Sequence, residues 1–494
     1  MPTETPPLPP PIPPPPVPPE PDPPPIVTEH ELRIGERSLR YTATTGLMPL
    51  KNEKGEVEAR LFFTAYTLVA EQPAGVRPLM FSFNGGPGSS SVWLHLGGLA
   101  PVRVEMMDDG AMSPPPFRLV DNEHTWIGET DLVFIDPVET GYSRAASPEL
   151  AKRFCGVQGD LESVAEFIRL YLTRFKRWPS PLFLVGESYG TFRAAGLAGL
   201  LIDKGIAFNG IVLVSSVLDL LTLQFHDGND LPFALFLPTY AATAWRHGRL
   251  SAELQARTLA DLLPEVESWA AGPYLLALAK GSALTGEDRA EVVERLSRYT
   301  GLSPRYVDQS NLRVEIQRFC KELLRDAGRT VGRLDSRYTG FDAPGVSEAP
   351  DFDPSMAAIR PPFTSALNDH LRANLGYEND LEYHILRGVE WDWGSAREGY
   401  AKTGEALSAA FARNPYLHLF VASGHYDLAT PYFATDYTLR HLALDPGVRA
   451  NIHTREYPVG HMVYLEKGVL AKLKTDVAAF IADALAVEGR PLQN

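Results

Sequence analysis

Six short apolar runs, most of them bounded by turn residues, recur along the chain and leave few folds open to it. They are Arg60 to Val69 (RLFFTAYTLV), Pro78 to Phe83 (PLMFSF), Asp131 to Ile135 (DLVFI), Pro181 to Val185 (PLFLV), Gly210 to Val214 (GIVLV) and Tyr416 to Ala422 (YLHLFVA). Runs this short that do not alternate with polar residues predict strands covered on both faces, as in a mostly parallel sheet. Helical patterns separate them. Asp160 to Lys176 (DLESVAEFIRLYLTRFK) is amphipathic, with an acidic start and a basic end that suit the helix dipole. Thr191 to Lys204 and Leu465 to Ala486 read as helices too. Strands alternating with helices predict an α/β protein built on one central sheet.

Two stretches depart from that rhythm. Residues 1–27 are dominated by proline: 16 of the 43 prolines lie in the first 26 residues. Such a segment has few amide donors and little to bury, so it predicts a disordered, polyproline-like tail. It has neither the basic start nor the apolar stretch of a secretory signal. From 218 to 393 the pattern is mainly helical (Phe233 to His247, Ala252 to Ala271, Glu287 to Tyr299, Leu312 to Asp326), with an irregular Gly/Pro/Asp stretch from Tyr338 to Pro362. The expected organisation is a tail over 1–27, a first part of the sheet core over 28–217, a helical insertion over 218–393 and a second part of the core over 394–494.

Composition excludes several classes. With 46 Lys and Arg against 61 Asp and Glu, the 494 residues carry a net charge of −15, which disfavours phosphate backbones and nucleic acids. No apolar run is long enough for a membrane span. Cys155 and Cys320 cannot make a disulfide framework and are expected to be free thiols. No metal-ligand spacing occurs, so neither a metal nor another cofactor is expected. Oligomeric state is not encoded in any of these features.

Chemistry concentrates in four places. Gly186-Glu187-Ser188-Tyr189-Gly190 matches G-x-S-x-G between the run PLFLV and a helical pattern. A turn that sharp needs glycine on both sides, and it lifts the Ser188 hydroxyl above the sheet at the start of a helix. A serine nucleophile needs a base and an acid to orient it. Asp427, after YLHLFVA, and His461, after Ile452 to Tyr457, follow in the order Ser–Asp–His, each just past a late strand. The fourth place is Asn84-Gly85-Gly86-Pro87-Gly88, after the strand PLMFSF. Its glycines let backbone amides approach an oxyanion, with Gly86 and Tyr189 as the two donors.

The order NGGPGSSS, DLVFIDPVETGYS, LVGESYGT, SGHYDLATP and GHM resembles the serine carboxypeptidase family, and most of all a bacterial, disulfide-poor branch of it. The resemblance implies an α/β-hydrolase fold and removal of C-terminal residues from peptides through an acyl-enzyme on Ser188. Because a carboxyl such as Glu187 can bond to a substrate carboxylate only if one of the two is protonated, activity is expected at mildly acidic pH. It implies His461 as base and Asp427 as its partner. It also implies that the substrate's terminal carboxylate is held by Asn84, Gly85 and Glu187, and that the protein works outside the cytoplasm. Relatives carry a second acid where Gly98 stands here, and Glu139 is the candidate to replace it. Alternative readings are an acyltransferase, a hydroxynitrile lyase, or a binding protein without catalysis. Trp93, Tyr142, Tyr240 and Trp245 are the aromatic candidates for pocket walls, against a default of core packing.

Overall fold

A computed structural model of the protein describes residues 23–69, 77–343, 345–395 and 399–486. Most of the proline-rich segment, residues 1–22, lies outside them. The main sheet follows nine strands: β1 (Ile26–Ile34), β2 (Arg37–Lys51), β3 (Val57–Leu68), β4 (Leu79–Phe83), β5 (Asp131–Ile135), β6 (Leu182–Ser188), β7 (Gly210–Ser216), β8 (His418–Gly424) and β9 (Ile452–Tyr457). Their order is β1-β2-β3-β5-β4-β6-β7-β8-β9, and a two-residue strand, Arg144–Ala145, also pairs with β3. The first three strands and β5 pair antiparallel. From β5 to β9 every pairing is parallel. This is the α/β-hydrolase fold.

The apolar runs form the central strands because both faces are covered. Leu79, Phe81 and Phe83 of β4 enter one core with Leu184, Leu213 and Val421. That face is packed by α1 (Val157–Arg174), α2 (Tyr189–Asp203) and, farther along the chain, the helix Gly404–Arg413. Met80, Val185, Val214 and Phe420 point the other way, into a core closed by the helix Lys467–Leu485 through Leu473, Val477 and Phe480. Side chains alternate across a strand, so an unbroken apolar run feeds two cores at once.

Between β7 and β8 the chain builds helices with a core of their own. They include α3 (Leu231–Arg246), α4 (Leu259–Trp269) and α5 (Gly286–Thr300), which bury Phe236, Tyr240, Leu263, Val266 and Tyr299 together. Two differences from expectation appear here. The only strands in this stretch, among the described residues, form a short hairpin of Arg329–Val331 and Thr339–Phe341. The second half of the stretch expected to be irregular is α6 (Pro354–Asp369), which contains Pro361 and Pro362. Asp353 caps it by accepting from the Ser355 amide, while Ile359, Phe363 and Leu367 bury against the sheet core and outweigh the lost backbone bonds. At the other end, β1 starts at Ile26, inside the segment expected to be tail, and Pro25 packs against Gly46. Cys155 and Cys320 are both free and buried. No described helix is long and apolar enough to cross a membrane.

Candidate active site

The parallel strands deliver their C-terminal ends to one face of the sheet, where such folds place their chemistry. Ser188 is the last residue of β6 and caps α2, with φ +59° and ψ −129°. A non-glycine residue at positive φ is strained, and its neighbours show what holds it. A Cβ on Gly186 would lie 2.1 Å from the Gly190 carbonyl oxygen, and one on Gly190 would lie 2.6 Å from the Phe83 carbonyl oxygen. The turn therefore closes only with glycine on both sides of Ser188, as the motif predicts.

Asp427 and His461 lie on the loops after β8 and β9, and the two loops are bonded to each other. His425 and Tyr426 donate their amides to the carbonyls of Tyr457 and Val459, both at 3.0 Å. Asp427 is fully buried, and its Oδ2 lies 2.7 Å from His461 Nδ1. The same carboxylate accepts from the amides of Ala429 and Thr430 and from Thr430 Oγ1. With its lone pairs so engaged, Asp427 has one direction left in which to orient the imidazole. Burial lowers the His461 pKa, but Asp427, by charge and hydrogen bond, and Glu187, by charge, together hold it above 6.5. The His461 amide donates to the Leu334 carbonyl at 2.7 Å, and Asp335 Oδ2 accepts from the Gly460 amide. The insertion thus braces the loop that carries the base.

The glycine-rich loop after β4 presses on the start of α2: a Cβ on Gly85 would lie 2.3 Å from the Tyr189 amide nitrogen. Tyr189 opens the helix, where N–H groups have no intrahelical partner. Asn84, Gly85, Gly86, Glu187, Ser188 and His461 all line one cavity of about 450 Å³. Within its wall, Asn84 Nδ2 donates to Glu187 Oε2 at 3.0 Å, and Tyr464 Oη donates to the same oxygen at 2.5 Å. Burial pushes the Glu187 carboxyl up to about 7, against the downward pull of His461 and of these two bonds. Asn84 itself is fixed by the Leu94 amide on its Oδ1 and by buried Arg193 on its carbonyl.

All the expected site residues therefore meet around one cavity or directly behind it. Glu139 does not join Glu187. Its carboxylate is taken by the Ala145 amide and by Arg387 at 2.9 Å. Of the aromatic candidates Trp93 lines the cavity, Tyr142 and Tyr240 are core residues, and Trp245 packs against the core of the insertion. Tyr464, Thr430 and Leu334 escaped sequence reasoning. Tyr464 stands three residues beyond His461, yet nothing local ties a tyrosine there to Glu187.

Residues 35–222 match the family model of serine carboxypeptidases. Over that stretch the chain is similar to the family. It is 30% identical over 148 residues to serine carboxypeptidase-like 36 of Arabidopsis thaliana, covering 29% of this chain and 28% of that protein. It is 34% identical over 158 residues to the pheromone-processing carboxypeptidase KEX1 of Saccharomyces cerevisiae, covering 29% of this chain and 20% of that one. These sequence matches span less than a third of either relative's length. The crystal structure of a KEX1 prohormone-processing carboxypeptidase from the same yeast superposes over 90% of this chain and 91% of that one, with a TM-score of 0.53 at 15% identity. That likeness is one of fold. These relatives are plant and yeast proteins and do not bear on the expected bacterial branch.

Proposed function

We propose that the protein is a serine-type carboxypeptidase that releases C-terminal residues from peptides. The observation that carries this reading is the buried Glu187–Asn84 pair in the wall of the cavity that also holds Ser188 and His461. A carboxyl with a pKa near 7 can donate a proton to a substrate's terminal carboxylate, whereas two ionised carboxylates would repel. A peptide held there by its C-terminus would lay its last amide bond over Ser188.

His461 takes the Ser188 proton as Oγ attacks the scissile carbonyl, with Asp427 holding the Nδ1–H and stabilising the imidazolium. The amides of Gly86 and Tyr189 receive the oxyanion, and each such donor is worth roughly 10²–10³ in rate. His461 then protonates the leaving amine, the C-terminal residue departs, and water attacks the acyl-enzyme by the reverse path. Residues 218–393 would act as a cap over the cavity, carried between two halves of the hydrolase core. The acyltransferase branch resembles this chain less, because the residue before its nucleophile is an aspartate rather than the Glu187 found here.

The test is incubation with a defined peptide between pH 4 and 8, followed by mass spectrometry. Sequential loss from the C-terminus that disappears in Ser188→Ala is expected. Internal cuts, or loss from the N-terminus, would overturn the reading.

A further inference from the structure

The cavity above Ser188 carries positive charge that the reaction does not use. The chain is acidic overall, at −15, yet Arg333, Arg360 and Arg387 line this cavity against a single carboxyl, Glu187. Arg387 is neutralised by Glu139. Among the described residues, no carboxylate lies within 4.0 Å of the Arg333 or Arg360 guanidinium.

The acids nearby are already committed. Asp353 accepts from the Arg333 and Ser355 amides and from the Ser355 hydroxyl. Asp335 is paired with Arg337 at 2.7 Å. Arg333 immediately precedes Leu334, whose carbonyl holds the His461 amide, so Arg333 belongs to the wall beside the base, and its charge opposes His461 protonation. Arg360 lies on α6 one turn beyond Met356, and both residues line the cavity. Arg333 is half-buried and Arg360 is exposed, and two guanidiniums that line one concave site without a counter-ion favour an incoming anion, because charge-assisted bonds to carboxylate are the stronger hydrogen bonds. The terminal carboxylate is already provided for by Asn84 and Glu187. The free pair is left for a second negative charge.

We propose that the substrate carries an acidic side chain at its last or next-to-last residue, recognised by Arg333 and Arg360. This rests on the carboxypeptidase reading and adds a substrate class to it: peptides with Asp or Glu at the scissile bond.

Two measurements test it separately from the chemistry. In the first, the Ser188→Ala protein is titrated calorimetrically with the blocked dipeptides Z-Ala-Glu and Z-Glu-Ala and their amide isosteres Z-Ala-Gln and Z-Gln-Ala. An acid should bind about tenfold more tightly than its isostere in one of the two arms, which fixes the position read. That ratio should shrink in 0.5 M salt and fall toward one in Arg333→Gln/Arg360→Gln. Equal binding of acid and amide in both arms overturns the proposal, as does a preference that survives the double substitution. In the second, wild-type kcat/KM on the same four dipeptides reports the peptidase reading. Tighter binding of the acid with no release from any dipeptide would sink that reading and leave acid recognition standing.

Discussion

Tyr464 hands its phenolic hydrogen to Glu187 across a space that exists because residues 97 and 98 have no side chains. A Cβ on Gly97 would lie 2.3 Å from the Tyr464 ring, and one on Gly98 would lie 2.8 Å from the Tyr464 Cβ. Burial raises the phenol well above its ordinary 10, so it stays a donor at every working pH. Tyr464 thus takes the space that a side chain at position 98 would need.

Replacing Tyr464 by Phe removes a bond that favours ionised Glu187, so its pKa should rise further above the ordinary carboxyl range. If protonated Glu187 binds the substrate, the alkaline limb of kcat/KM moves upward by about one pH unit. Gly97→Ala should shift it the same way by displacing the ring. A limb that stays put in both variants would break the link between Tyr464 and Glu187.

The pH profile itself is expected to be a narrow bell. Activity on a free-acid peptide falls above about pH 7, where Glu187 ionises, and falls on the acid side as His461, held above 6.5, takes up its proton. A C-terminally amidated peptide presents no carboxylate, so its hydrolysis should lack the alkaline fall. Glu187→Gln should lose the alkaline limb and move the acid limb down, since one of the charges that raises the His461 pKa is gone. Parallel profiles for acid and amide substrates would contradict the role given to Glu187.

Stability carries its own pH signature at Asp136. This buried carboxyl accepts from the Ser91 amide and from Tyr383 Oη, yet burial raises it to about 7. Between its unfolded pKa, roughly 4, and about 7 the native state holds a proton that the unfolded chain has released, so stability falls as pH rises through that window. The slope is at most about 1.4 kcal/mol per pH unit. Asp136→Asn has no proton to lose, and its urea midpoint should improve relative to the parent between pH 5 and 7. A constant difference between the two proteins would refute this.

Arg193 is the strongest structural lever beneath the site. It is buried, pairs with buried Asp160 at 2.8 Å, and donates to the Asn84 carbonyl at 2.7 Å. Arg193→Met leaves a buried carboxylate and a carbonyl without their donor, and should cost about 3–5 kcal/mol in chemical denaturation. A cost below about 1 kcal/mol would mean that the pair is not what holds the glycine-rich loop in place.

The central strands and the nucleophile turn were legible because their causes are local. DLVFI and IHTREY form strands with those limits, Ser188 ends a strand at a sharp turn, and Asp427 and His461 each follow one. The outer strands β1 and β2 were not read, since IVTEHELRI and RSLRYTATT mix polar residues into an edge that is only partly covered. Pro361 and Pro362 hid α6, whose existence depends on burying Phe363 against Trp93. Tyr464 on Glu187 and Leu334 on His461 join residues more than a hundred positions apart, and no spacing in the chain records them.

The chain leaves the sheet at Ser216 and rejoins it at His418, on the neighbouring parallel strand. The entropy of such an excursion grows only with the logarithm of its length, so a segment inserted there could in principle be exchanged whole. Here it cannot be exchanged freely. The excursion supplies both the arginines that line the cavity and the carbonyl that steadies the base, so a change in this segment that remade the cavity would retune the catalyst in the same stroke.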